Sequence, residues 1–298
     1  MELWHPGDTT TTGGIVHADS AVFRNNTKAV HALYYTNHRP TNGRESEYIS
    51  DFTNCTFVID NNYLGTDMFC RHVDFECVNG IDFKGCAFSV NGNAQGVSPT
   101  CCGIDAYDAG FQVLSYCSDL SITGTNPCPE EYLVRSSFSG FHDGVRSVSD
   151  GASARSFSVH DALFSGNDRG VFAQNTGYAT VLRSSFLVGS KAECSYGIYA
   201  DGVTGFCIEE NTFMEGIGEG AKYGIGVFNC GGGNDIYLNS FDGLDCGNLA
   251  MGQNATRFGG FSNGSVTAGL TYSCNQNSDN VIDFCVLKDD GVGGVYPY

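Results

Sequence analysis

Val159-His160-Asp161-Ala162-Leu163-Phe164, followed after a polar step by Arg169-Gly170-Val171-Phe172-Ala173, is one copy of the unit that decides the fold. Its order is an aliphatic residue, a polar corner, a phenylalanine, a variable loop, then glycine with a β-branched residue. The same order returns from Val181 to Phe186 with Gly197-Ile198, and from Ile208 to Phe213 with Gly224-Ile225. Phe138, Phe164, Phe186, Phe213 and Phe241 are spaced by 26, 22, 27 and 28 residues, and Gly144, Gly170, Gly197 and Gly224 by 26, 27 and 27. A third marker, Leu133, Val159, Val181, Ile208 and Ile236, stands five residues before each phenylalanine. Upstream the unit continues through Phe23, Phe57 and Phe88, with Gly80-Ile81 and Gly103-Ile104 as the glycine marker. Downstream, Leu270 to Val286 reads as a last, incomplete turn. Fixed strands with unequal loops are what a coil tolerates, because each turn touches only its neighbours.

Other coils fit worse. A leucine-rich repeat needs a Leu-x-x-Leu-x-Leu frame, and helical repeats need runs of good helix formers. Here the connecting segments are Gly, Asn, Ser and Asp, and the chain holds 40 glycines. Gly231-Gly232-Gly233-Asn234-Asp235 is a single imperfect echo of a calcium-binding nonapeptide, too little to imply a metal. A parallel β-helix with three short strands per turn remains. Its core is stacked Val, Ile and Phe, with Gly and Asn at corners that need positive φ.

If the turns stack about 4.8 Å apart, equivalent positions become ladders. Val145, Val171, Ile198 and Ile225 then point inward, followed two residues later by Ser147, Ala173, Ala200 and Val227. By alternation Arg146, Phe172, Tyr199 and Gly226 point outward, and Val148, Gln174, Asp201 and Phe228 form the next outer row with Tyr107 on an earlier turn. Tyr107, Phe172, Tyr199 and Phe228 are therefore the expected ligand-binding face. Two readings stand for it: a surface covered by loops or a neighbouring chain, or an aromatic platform for sugar rings.

The chemistry-bearing motifs are weak. In this register His142 stacks on Asp168 and Asp143 on Arg169, which reads as ordinary corner pairing. Asp82 and Asp105, each after a glycine–isoleucine step, are expected on one outward face. With Arg146 they could be assembled into a lyase-like or hydrolase-like site, though nothing in their spacing singles them out. No serine-nucleophile, zinc-protease or phosphate-loop motif occurs, and no motif calls for a cofactor or metal.

Composition bounds the partners. Fifteen Lys plus Arg against 33 Asp plus Glu give a net charge of −18, which argues against nucleic acid and anionic lipid. No run of eighteen apolar residues is present to span a membrane. Fourteen cysteines, with no Cys-x-x-Cys, favour disulfides in an oxidising compartment over buried free thiols. The local pairs that invite it are Cys70 with Cys77, Cys117 with Cys128, Cys194 with Cys207, and Cys274 with Cys285. Cys101-Cys102 is a vicinal pair whose sulfurs would take different partners.

Several phrases carry a resemblance. Gly14-Ile15-Val16-His17-Ala18, Ala21-Val22-Phe23-Arg24-Asn25-Asn26-Thr27-Lys28-Ala29-Val30, Ser50-Asp51-Phe52-Thr53-Asn54-Cys55-Thr56-Phe57, Asn234-Asp235-Ile236-Tyr237-Leu238-Asn239-Ser240-Phe241 and Gly269-Leu270-Thr271-Tyr272-Ser273-Cys274-Asn275 belong to it. They resemble the right-handed parallel β-helix region of large secreted Bacteroidota proteins exported by the type IX route. The resemblance runs over nearly the whole chain. It implies an all-β, right-handed solenoid of roughly eight to ten rungs with irregular loops, forming one domain over residues 1–298. It also implies an extracellular or cell-surface location. The family's C-terminal sorting domain and an export signal do not appear, so the chain reads as part of a longer exported protein. The resemblance brings no catalytic motif to carry over.

The expected function is a non-catalytic extracellular module, an adhesin, a carbohydrate-binding element or a structural element, with polysaccharide or another surface protein as partner. A polysaccharide lyase or glycoside hydrolase working along an elongated face is the second reading. Self-association through uncapped coil ends, the last rung near Phe284 lacking an obvious polar cap, is the third.

Overall fold

The computed structural model describes residues 2–3, 15–34, 50–91, 94–119, 128–151, 155–257 and 266–288. Over these residues the chain is a right-handed parallel β-helix with three long sheets. The first sheet holds the glycine–valine strands, among them Asp143–Val148, Arg169–Gln174, Cys194–Asp201 and Ala221–Phe228. The second runs from His17–Asp19 to Val266–Ser273, and the third, of nine strands, from Val22–Arg24 to Gln276–Ser278.

The repeated phenylalanine has a direct physical cause. Phe23, Phe57, Phe88, Phe138, Phe164, Phe186, Phe213 and Phe241 stand in register along the third sheet. Their rings stack at centroid distances of 4.5 to 5.1 Å, with planes within 9° of one another. Burying each ring contributes roughly 2–3 kcal/mol, and a stacked pair adds about 0.5–1.5 kcal/mol.

The glycine marker is the other half of the same feature. A Cβ at Gly170 would lie 2.8 Å from the Phe186 ring and 2.6 Å from the Gly197 carbonyl, and Gly144, Gly197 and Gly224 meet the same obstruction. The ring fills the volume that a side chain would need. On one turn His72 takes the glycine position, since Val73 pairs in register with Ile104. Its imidazole is packed between Phe69 and Phe141 at 4.7 and 5.7 Å.

Corners are closed by side chains that reach to the next turn. Ser184 N–H donates to Asn211 Oδ1 at 2.8 Å, Asn211 N–H to Asn239 Oδ1 at 2.9 Å, and Asn239 N–H to Asn275 Oδ1 at 2.9 Å. These bonds satisfy amides that the bend takes out of the sheet. The preceding residue is left-handed whatever its type: Asp161, Arg183, Glu210 and Leu238 have φ between 46° and 56°. Backbone stacking therefore sets the bend, and Gly or Asn is not required there.

The structure corrects two markers. Leu133 is not in the aliphatic row; Val113 is, in register with Val159. Between them an antiparallel hairpin, Tyr116–Cys117 with Leu133–Val134, leaves the coil and mimics the spacing. Gly80-Ile81 likewise belongs to the second sheet, where Ile81 pairs with Phe111.

Of the expected disulfides, Cys117–Cys128 closes the hairpin, and the other twelve cysteines are free thiols. Cys70 lies near the start of the strand Phe69–Glu76, and Cys77 follows its end. Seven residues of strand span about 23 Å, far beyond the ~7 Å Cα limit of a disulfide. Cys194 opens the strand Cys194–Asp201, while Cys207 lies beyond the corner in the second sheet. Cys274 and Cys285 also fall on different sides of a corner.

Candidate functional site

Two outer rows of the first sheet follow from its register. One runs His31, Asp74, Asp105, Arg146, Phe172, Tyr199, Gly226, Leu249, Cys285. Beside it run Arg71, Cys102, Asp143, Arg169, Tyr196, Tyr223 and Cys246. Charge occupies the first half of this face, and aromatic rings the second.

The charges pair across turns. Lys28 Nζ donates to Asp74 Oδ2 at 2.5 Å, and Arg71 Nη1 bridges Asp74 Oδ1 at 3.0 Å and Asp105 Oδ2 at 2.6 Å. Arg146 Nη1 donates to Asp105 Oδ1 at 2.7 Å. Arg169 grips Asp143 twice, Nε to Oδ1 at 2.5 Å and Nη2 to Oδ2 at 2.9 Å. Asp143 is 1 % exposed, so this pair is a buried one. Burial pushes its carboxyl up, against the pull of Arg169. Burial works upward on Asp74 as well, but the Lys28 hydrogen bond and the charges of Arg71, Lys28 and His31 outweigh it and hold that carboxyl below its ordinary value.

His142 ends the network. Its Nδ1 is 2.7 Å from Asp168 Oδ2 and its Nε2 is 2.9 Å from Arg169 Nη2. Arg can only donate, so Nε2 accepts and Nδ1–H donates to the carboxylate. That arrangement is an Asp–His unit whose outer nitrogen is already occupied.

Arg169 also joins the two halves, its guanidinium lying 4.0 Å above the Phe172 centroid and 5.6 Å from that of Tyr199. Tyr199 is stacked between Phe172 at 5.4 Å and Phe228 at 4.3 Å. Tyr196 stands edge-on to Tyr199 at 5.1 Å and stacks on Tyr223 at 4.8 Å. Tyr196, Tyr223 and Phe228 form, with Cys246 and Leu249, an apolar cluster separate from the core, and Tyr199 packs against it. Phe172 and Phe228 are 7 % and 5 % exposed although they point away from the coil axis.

The structure thus brings Phe172, Tyr199 and Phe228 together, but their faces are turned to one another and to Arg169 rather than to solvent. A flat sugar platform made of these rings is not what the geometry provides. Tyr107 stands apart from them, half-exposed beside Glu76 and Val148 in the next row.

Asp105 and Arg146 meet as expected; Asp82 does not join them. It sits in the outer row of the second sheet between Asp51 and Gln112, because Gly80-Ile81 was the wrong marker. There its Oδ2 takes Lys84 Nζ at 3.0 Å, its Oδ1 is buried without a partner, and burial raises its carboxyl. The three residues are therefore no catalytic cluster.

Arg71 and Asp74 are the members that the sequence concealed. Arg71-His72-Val73-Asp74 aligns with Asp143-Gly144-Val145-Arg146, and the histidine in place of glycine hid the match.

A concavity of about 850 Å³ opens beside the disulfide-closed hairpin and is lined by Tyr116, Glu130, Arg135, Asp161 and Arg183, among others. Its guanidiniums are also engaged: Arg135 donates to both Glu130 oxygens at 2.9 Å, and Arg183 Nε to Asp161 Oδ1 at 3.1 Å. Among the described residues no group of three His, Cys, Asp or Glu side chains is placed to hold a metal ion. No helix among them is long and apolar enough to cross a membrane. Compared with family models, curated proteins and solved structures, the chain matches none.

Proposed function

We propose that this chain is a non-catalytic extracellular or cell-surface β-helix module, a stiff acidic coil that holds a polysaccharide or another surface protein. One observation carries the reading. On the outer face of the first sheet the groups that could do chemistry are spent on each other, Asp143 on Arg169, Asp105 on Arg71 and Arg146, and His142 Nε2 on Arg169. A general acid or base needs a free proton site within reach of substrate. A saturated ladder instead supplies stiffness and a fixed surface. The Cys117–Cys128 bond favours an oxidising compartment, and the twelve free thiols count against it.

The test is a glycan array with the purified chain, read for binding and then for product release by mass spectrometry. Binding without new products is the expected result. Release of shortened or unsaturated oligosaccharides would replace this reading with the polysaccharide lyase or hydrolase.

Self-association is the second reading that an observation favours. Phe284 and Val286 continue the inward rows of the first sheet from Asn248 and Ala250, yet are 37 % and 72 % exposed. Concentration-dependent sedimentation that disappears in Val286→Asp would move the assignment toward an assembly subunit.

A further inference from the structure

We propose that the groove beside Tyr178 is a binding subsite for a neutral sugar ring, which deepens the module reading and rests on it. Tyr178 lies at the corner between the first and second sheets, and it is 73 % exposed. The corner is rigid: Tyr178 N–H donates to the Thr204 carbonyl at 2.9 Å, and Gly177 bridges to Thr204 on the next turn. The ring rests on that next turn too. A Cβ added at Gly205 would fall 2.9 and 3.0 Å from Tyr178 Cδ1 and Cε1, so only glycine there lets the ring lie this close to the backbone.

An aromatic ring held against backbone on one side and open to water on the other is the reverse of the Tyr199 arrangement, where both faces are covered. Beside the ring is a groove of about 520 Å³ lined also by Asp150, Asn175 and Thr204. That volume falls within the roughly 300–1,000 Å³ of small-molecule sites.

The groups match a pyranose. Its C–H face packs on a π-face, while its hydroxyls need acceptors and donors at the rim, which Asn175 and Thr204 carry. Because Tyr has few rotatable bonds and this one is seated, little ordering cost opposes binding. A uronate is disfavoured by the Asp150 carboxylate at the rim and by the net charge of −18.

The experiment uses the full chain on an array of neutral gluco-, manno-, galacto- and xylo-oligosaccharides beside uronate oligosaccharides. Tyr178→Ala is compared with Tyr34→Ala, a ring 61 % exposed on a distant turn. The proposal expects binding to at least one neutral series, a tenfold or greater loss in Tyr178→Ala, no change in Tyr34→Ala, and unaltered thermal unfolding in both. Equal binding by Tyr178→Ala, silence toward all neutral series, or preference for uronates overturns it. The two readings fail separately. Binding that survives Tyr178→Ala removes the subsite and keeps the module, whereas product release removes the module reading and leaves the Tyr178 comparison readable.

Discussion

The inner and outer rows of the first sheet share one backbone ladder but obey different rules. Inward, Val145, Val171, Ile198 and Ile225 repeat nearly one shape from turn to turn. Outward, the same four turns carry Arg146, Phe172, Tyr199 and Gly226. An inner side chain must fill a slot fixed by the Phe ladder and the turns on either side, so its size is dictated. An outer side chain need only satisfy the next one, so charge pairs with charge and ring with ring. The chemistry changes once, where Arg169 bonds Asp143 on one side and covers Phe172 on the other.

The comparison is tested most severely inside. Phe186 stacks at 4.7 Å on both Phe164 and Phe213 and is almost fully buried. Phe186→Ala should cost about 4 kcal/mol in a denaturant titration, as buried Phe truncations do. The outer ring Tyr199, truncated the same way, should cost about half that, since part of its surface already faces water. Equal losses would erase the distinction between the rows.

These rows were unequally legible in the sequence. Phe, Gly and the aliphatic marker recur because the interior dictates them, and the register of Val145 through Ile225 follows from their spacing. Where an insertion or substitution breaks the interior rule, reading fails: the hairpin shifted the marker to Leu133, and His72 concealed the turn that bears Arg71 and Asp74. The site was harder still. Alternation places Phe172, Tyr199 and Phe228 outside, but which faces remain open depends on neighbouring turns. Tyr178 carries no periodic signal, and its seat against the backbone depends on Gly205 one turn later.

The next largest effect lies on the outer rows, at their most deeply buried carboxylate. Arg169→Leu leaves Asp143 without its bidentate partner at 1 % exposure, and should destabilise by about 3 kcal/mol. Adding Asp143→Asn should restore much of that loss, because the buried charge goes with its partner. If the double variant is as unstable as Arg169→Leu alone, Arg169 acts through its contact with Phe172 rather than through the ion pair.

The smallest effect comes from the turn where the inner row itself departs from rule. His72 is 1 % exposed and packed among phenylalanines, its Nε2 is 3.2 Å from the Ser89 carbonyl and its Nδ1 has no partner. Burial lowers its pKa from 6.5 to about 4. Between those values the unfolded chain takes up a proton that the folded chain refuses, so stability falls as pH drops from 6.5 toward 4. By pH 5 the loss should be about 2 kcal/mol, from some 1.5 pH units at 1.36 kcal/mol each. Asp74 and Asp168 are also shifted, but downward from 3.8, so their contributions are lost only at lower pH. His160, lowered by burial and by Arg183, adds in the same window. His72→Gln keeps a donor for Ser89 and removes the titration. Its denaturation midpoint between pH 7 and pH 5 should therefore flatten, leaving the His160 share and the opposite contributions of Asp82 and Asp143, whose carboxyls burial raises. An unchanged slope would place the acid sensitivity on the outer row and make the inner row, His72 included, electrostatically silent.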